Sequence, residues 1–297
     1  MQELISGLIL LGFYTGLCLL SRWSFQYYKI FIFDKLKEFK YFLYENKISR
    51  TIKFKENHDH KVCDTLWKII FYSVSTSLVI YFANQLYLFS DVNNSWREIV
   101  STHNSYFKNF YIFELGYYFS GLLSLWFELE EHRSDVSLLY THHIATIFLI
   151  AGSYIMGFEK IGVLVLFAHD LSDWFLEIGK FMLYFELLDV ITTTWYIILV
   201  LAWTGLRMIY FPFCVIWSCY MFMNRQVEFS FANSDSIETY PNELPFIIVL
   251  IILLLMNIYW TFALLSLGYR KIVTGERMVD HREKNAHSKP KPKRIED

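Results

Sequence analysis

The sequence predicts an all-α transmembrane protein of about seven membrane-spanning helices. Three observations carry that prediction. Hydrophobic residues make up 55% of the 297 residues and aromatics 20%, where soluble domains hold ~45–50% apolar residues. The apolar residues gather into runs near the ~20 residues that a lipid-spanning helix needs. The charged residues, 19% of the chain, are clumped between those runs. Disorder, collagen and a single soluble globule are excluded. A barrel is excluded too, since its strands would be ~9–11 residues long with a period of two.

The first run covers residues 4–20 and is followed by the longest basic stretch. It lacks the basic n-region of a cleaved signal peptide, because Glu3 is the only charge before it. Residues 1–22 are therefore read as a first transmembrane helix. Residues 21–66 hold ten Lys/Arg against six acids, and 269–297 hold nine against five. These two segments carry 19 of the 27 basic residues, so the positive-inside rule places both in the cytosol. Six spans between them is an even number, which agrees. The N-terminus is then lumenal and the C-terminus cytosolic.

Within the first basic segment, residues 23–66, the stretch from Lys29 mixes Phe, Ile, Leu and Tyr with Lys and reads as an interfacial amphipathic helix. The second run, 67–89, leads into Asn93-Asn94-Ser95, a glycosylation sequon on the lumenal side of this topology. The third and fourth runs are 110–127 and 139–157, the fifth 160–184. The sixth, 191–222, is long enough to extend beyond a bilayer or to bend at Pro212. The seventh is 245–267, and the basic tail 268–297 is expected to be disordered. Net charge is −2 and no nucleic-acid recognition motif accompanies the basic segments, so no nucleic-acid partner is expected. Cys18, Cys63, Cys214 and Cys219 form no CxxC and suggest neither a disulfide framework nor a zinc site.

Ionisable residues inside spans start at about 2.5–3.5 kcal/mol each at mid-membrane, and this chain concentrates them. Span three carries Glu114, span four opens on His142-His143, span five reads His169-Asp170-Leu171-Ser172-Asp173 and continues to Glu177 and Lys180, and span six carries Arg207. At about 100° per residue, His169, Asp173, Glu177, Lys180 and Tyr184 fall within roughly 80° of arc, with Asp170 beside the stripe. That face must look into protein or a wet cavity rather than lipid. Glu177 and Lys180, at i,i+3, can neutralise each other. Adjacent histidines point about 100° apart, so one does chemistry while the other orients or packs. Three chemistries suit the set: acid–base or nucleophilic catalysis with a carboxylate-assisted histidine, metal binding, and a proton relay. Two adjacent histidines chelate poorly from one helix, where i,i+4 is the usual spacing, so no metal is assigned.

Residues 142–184 closely resemble the Lag1p motif of the ceramide synthases, in the TLC-domain superfamily. The matches are His142, His143, Thr146, Ser153, Tyr154, Gly162, His169, Asp170, Ser172, Asp173, Leu176, Glu177, Lys180 and Tyr184. Glu114 to Tyr118, Arg207 to Pro212, Trp67-Lys68 and Phe71-Tyr72 resemble flanking family runs, so the likeness covers roughly 54–267. Departures are Lys160 near a common Arg, Gly157 for Asn, Gly179 for Ala, and the acidic Glu130-Glu131 stretch where the family is more basic. The homeobox-like domain of some members has no room between spans one and two.

The resemblance implies a TLC domain at 67–267, with six helices forming a barrel around a central cavity and the first span outside it. It implies an acyltransferase of the endoplasmic reticulum that moves a fatty acyl group from acyl-CoA to the amine of sphinganine or a related long-chain base. His142, His143, Asp170 and Asp173 are the implied catalytic residues. His169, Arg207, Ser153, Tyr154, Glu177 and Lys180 are the implied cavity or substrate-binding residues. Acyl-CoA is a co-substrate, and no metal or prosthetic group is required. Partners are the two substrates and membrane lipids, with a homodimer or small accessory subunit left open. Two other readings are a non-enzymatic TLC protein, translocon-associated or lipid-sensing, and a ceramidase-like metal-dependent hydrolase. The full HD..SD set argues against the first, and the linear motif order against the second.

Overall fold

A computed structural model describes residues 2–54, 58–89, 105–127, 135–222, 244–275 and 278. The Asn93 sequon, the Glu130-Glu131 stretch, the 224–244 loop up to residue 243 and almost all of the basic tail lie outside the described residues. The elements in order are α1 (Gln2–Tyr27), α2 (Lys29–Glu45), α3 (His58–Gln85), α4 (Ser105–Trp126), α5 (Val136–Met156), α6 (Glu159–Tyr184), α7 (Asp189–Trp203), a π-helical stretch (Thr204–Ile216) that continues α7, and α8 (Leu244–Thr274). Among the described residues, the β-type pairing is a single isolated bridge, Ser49 to Leu187.

Among the described residues, five helices are long and apolar enough to cross a membrane: Ile5–Tyr27, His60–Gln85, Val136–Met156, Asp189–Phe222 and Leu244–Thr274. The third and fifth expected spans, α4 and α6, are 22 and 26 residues long, about 33 and 39 Å at 1.5 Å per residue. They have the length but not the apolarity. Helix α6 carries Glu159, Lys160, Asp170, Asp173, Glu177 and Lys180, and α4 is diluted by tyrosines, serines, Lys108 and Glu114. Their polar groups are hidden inside protein: Glu114, Asp170 and Ser172 are fully buried. This is the arrangement that keeps polar side chains out of hydrocarbon.

Helix α6 is the central element, packing on α3, α5, α7 and the π-helical stretch; α1 lies on α4 and α3, and α8 on α5 and the π-helical stretch. Two glycines set this order. Gly157, at φ 74°, ends α5 in the left-handed conformation that glycine adopts without strain, and its N–H bonds the Ser153 carbonyl. The chain reverses at once into α6, so the two are antiparallel neighbours. Gly116 allows a close approach: a Cβ there would lie 2.9 Å from Tyr14 Cβ and 3.0 Å from the Thr15 nitrogen, so α1 sits directly on the α4 backbone.

The segment after α2 is strapped across the α6–α7 turn. Leu188 N–H bonds Ile48 O at 3.0 Å, Arg50 N–H bonds Glu186 O at 3.1 Å, and the Ser49 hydroxyl donates to Phe185 O at 2.9 Å. Lys40 of α2 is fully buried, donating to Lys53 O at 2.9 Å with its ammonium 4.2 Å from the Phe54 ring centroid. The expected amphipathic segment thus holds a 17-residue helix, with one of its lysines turned inward.

Candidate functional site

A cavity of about 270 Å³ opens at one end of the bundle. Its wall is drawn from the end of α1, the start of α3, the end of α4, the start of α5, the end of α6, the start of α7 and the end of α8. Antiparallel alternation brings these ends to the same side, the side assigned to the cytosol by the basic segments. His142, His143, Asp173, Glu177, Lys180 and Arg207 all line it. Ser153, Tyr154, His169 and Asp170 are not on its wall.

The two histidines differ. His143 donates from Nδ1 to the Leu139 carbonyl one turn back, at 2.9 Å. A carbonyl only accepts, so the proton sits on Nδ1 and the lone pair on Nε2. The ring lies over Gly121, where a Cβ would come within 2.6 Å of Nε2. His142 is 7% exposed, packs edge-on against Trp260 at 5.2 Å between centroids, and buries an Nδ1 without a hydrogen-bond partner. Tyr118 faces both, at 6.5 and 6.0 Å.

On the wall, Arg207 is the hub of a polar network that runs behind it. Its Nε donates to Ser172 Oγ at 2.6 Å, Nη1 to Asn257 Oδ1 at 3.2 Å and Nη2 to the His169 carbonyl at 3.1 Å. Nη2 also pairs with Asp173 Oδ1 at 2.6 Å, and the guanidinium stacks 3.9 Å over Trp203. Arg207 stands in the π-helical stretch, where Trp217 N–H bonds Pro212 O five residues back, a wide turn frequent at functional sites. Pro212, where the sequence allowed for a bend, lies inside this stretch.

Asn257 completes the hub. Arg207 can only donate, so the Asn257 atom facing it is the carbonyl oxygen. The amide NH₂ must then donate to His169 Nε2, at 3.1 Å, while His169 Nδ1 donates to the Val165 carbonyl at 2.8 Å. His169 is thereby held in its Nδ1–H tautomer, behind the cavity. Asp170 accepts from Ser75 at 2.6 Å and Tyr118 at 3.0 Å. The bonds that fix the two aspartates therefore run to Ser75, Tyr118 and Arg207. Glu177 and Lys180 form an ion pair of 2.6 Å on the wall. Glu114 is fully buried, with neither carboxylate oxygen hydrogen-bonded among the described residues.

Ser153 and Tyr154 sit at the far end of α5. Ser153 Oγ meets the Tyr111 hydroxyl at 2.5 Å, and Tyr154 stacks on the Tyr111 ring at 6.2 Å. Gly162 makes room for this contact, since a Cβ there would fall 1.7 Å from the Tyr111 hydroxyl. These motif residues close the far end of the bundle.

The sequence reading assigned nothing to Gly121, Tyr118, Ser75, Asn257 or Trp260. Tyr118 and Gly121 belong to the run after Glu114, but a Tyr, a Gly or a Ser in an apolar helix is ordinary. Asn257 is the one polar side chain in an otherwise apolar stretch of α8 from Leu244 to Tyr259, and that isolation was a usable signal.

Known proteins share this framework. The sequence pattern of the TLC domain matches residues 61–266. Ceramide synthase hyl-1 of Caenorhabditis elegans is 30% identical over 223 residues, covering 73% of this chain and 59% of the worm protein. Sphingosine N-acyltransferase lac1 of Schizosaccharomyces pombe is 30% identical over 232 residues, 76% of this chain and 60% of its own. Ceramide synthase LAG1 of Saccharomyces cerevisiae is 27% identical over 258 residues, 85% of this chain and 62% of the yeast protein. The chain spans about three fifths of the length of these curated relatives. The matched region runs from the start of α3 into the last turns of α8 and holds nearly the whole cavity wall, and on that extent the chain belongs to the TLC-domain family of helical membrane proteins.

Proposed function

We propose that the chain is a ceramide synthase, a sphingoid-base N-acyltransferase of the endoplasmic reticulum membrane. It takes a fatty acyl group from acyl-CoA and joins it to the amine of sphinganine or a related long-chain base. The observation that carries this reading is the placement of His142 and His143 together on the wall of a cavity at one end of the bundle. The names of the relatives support the same chemistry. Both substrates are amphipathic, and seven helices with about six of them around the cavity can hold their chains in an apolar interior.

Chemically, an amine attacks the thioester carbonyl, the C–N bond forms, the C–S bond breaks, and CoA leaves as the thiol. A neutral imidazole takes the proton of the amine as general base. In the covalent variant, the imidazole first attacks the thioester to give an acyl-imidazole, which the amine then opens. His143 suits either role, because committing its Nδ1 proton to Leu139 O makes Nε2 the basic nitrogen of the neutral ring. Asp173, held by Arg207, places a carboxylate on the same wall to stabilise the cation that forms. Asp170 acts one layer back, through Tyr118.

The test is N-acylation by microsomes expressing the chain, supplied with sphinganine and a panel of acyl-CoAs, with dihydroceramides read by mass spectrometry. Product that vanishes in a paired His142→Ala/His143→Ala variant supports the reading. Absence of product at every chain length from folded, correctly localised protein overturns it.

A further inference from the structure

Asn257 has no part in the chemistry set out above. It is fully buried in α8 and does not line the cavity, so it touches no substrate there. We infer that Asn257 is a positioning residue: it aims the Arg207 guanidinium, and through it the Asp173 carboxylate, at the cavity.

Three residues from three helical elements close a ring of hydrogen bonds. Arg207 Nη2 donates to the His169 carbonyl at 3.1 Å, Arg207 Nη1 donates to Asn257 Oδ1 at 3.2 Å, and the Asn257 amide donates to His169 Nε2 at 3.1 Å. Every direction in the ring is fixed. A guanidinium only donates and a carbonyl only accepts, so the amide has one orientation and the imidazole one tautomer. Both ring nitrogens of His169 are then in use, since Nδ1 donates to Val165 O at 2.8 Å. His169 anchors the ring and is not the base.

The ring acts on Asp173 because of what else holds Arg207. Ser172 Oγ and Asp173 Oδ1, each at 2.6 Å, lie on α6, as does the His169 carbonyl. Asn257 is the one acceptor that another helix supplies to this guanidinium among the described residues. Without it, Nη1 would be a buried donor with nothing to bond. Helix α8 also braces the face of the guanidinium. Trp203, 3.9 Å from it, donates from its indole to Thr261 Oγ1 at 3.0 Å, and that hydroxyl donates to the Asn257 carbonyl at 2.7 Å. One turn of α8 thus sets both the edge and the face of Arg207. A planar fork carries direction as well as charge, so the Asp173 carboxylate, 18% exposed on the wall, is presented in one orientation.

The inference rests on the reading of Asp173 as the carboxylate that stabilises the cation formed in the reaction. The full chain in phosphatidylcholine nanodiscs is assayed for N-acylation of sphinganine, with the acyl-CoA that gives most product, and for thermal unfolding. In Asn257→Leu, kcat is expected to fall roughly 10–100-fold, the worth of one hydrogen bond to a charged group. KM for both substrates should stay within about twofold, since no substrate contact is lost. Asn257→Asp keeps an oxygen against Arg207 but draws the guanidinium from Asp173 and has no N–H for His169, so kcat should fall here too. In an Asp173→Asn background, Asn257→Leu should cost little more, in turnover or in unfolding temperature, because both changes act on one guanidinium. A side chain that merely filled space would cost the same in either background. Unchanged kcat in folded Asn257→Leu overturns the inference, as does a raised KM with kcat intact, or losses that simply multiply in the double variant. Failure of both Asn257→Leu and Asn257→Asp to fold makes Asn257 structural and also overturns it. Non-additive unfolding shifts in a chain that makes no amide support the aiming of Asp173 by Asn257 and overturn the proposed function, so the two fail separately.

Discussion

The two ends of the helical bundle carry residues of one sequence motif and put them to opposite uses. At one end, His142, His143, Asp173, Glu177 and Lys180 surround a cavity. At the other end, Ser153, Tyr154 and Gly162 pack against Tyr111. A motif therefore marks what a family's fold requires as well as what its chemistry requires. Only packing separates the two. The cavity residues line a space, and the residues at the far end pack against a neighbouring side chain.

The comparison can be broken by substitution. The largest effect is expected from the paired His142→Ala/His143→Ala change: activity falls by about 10²–10⁴-fold, the usual worth of a positioned acid–base group. Thermal unfolding of the detergent-solubilised protein should stay close to that of the unaltered chain. A matching loss of stability would make the cavity end structural too. Next comes Arg207→Met, which strands the mostly buried Asp173 carboxylate and empties the donors that hold Ser172, Asn257 and His169. Breaking such a buried pair costs about 3–5 kcal/mol, to be read as lost thermal stability as well as lost turnover.

At the far end the signs reverse. Gly162→Ala forces a methyl group against the Tyr111 hydroxyl, and overpacking of this kind costs about 1–3 kcal/mol. Unfolding temperature should drop, while kcat per folded molecule stays near the unaltered value. A selective loss of kcat would instead tie the far end to the chemistry. The smallest effect is expected for Tyr154→Phe, which keeps the ring stacked on Tyr111 and loses a hydroxyl for which the structure shows no hydrogen bond. Stability should change by no more than about 0.5 kcal/mol and product yield not at all, although Tyr154 is as much a motif residue as His143.

The membrane class, the polar face of α6 and the histidine pair were legible in the sequence, because each violates the expectation for a lipid-facing helix. The five most apolar crossing helices follow from run length alone. The status of α4 and α6 does not, since their hydropathy is lowered by the very groups the bundle hides. The role of Asn257 depends on α8 passing between His169 and Arg207, 88 and 50 residues away in the chain. Gly121 matters only because His143 lies over it. Ser153 and Tyr154, expected at the cavity, are separated from His142 by about half the length of α5, a distance the spacing already contained but the motif obscured. Contacts made between helices leave no periodicity to read.

The π-helical stretch makes chain length a constraint of its own. A wide turn accommodates a residue that regular α-helical bonding would not, and each residue added to or taken from an α-helix turns everything beyond it by about 100°. Substitutions at exposed positions such as Ile209 and Phe213 leave Arg207 aimed at Ser172 and Asp173. Deleting a single residue between 189 and 206 would swing that guanidinium away from both. This helix can drift in composition on its lipid-facing side, but its residue count up to Arg207 is fixed as strictly as a reading frame.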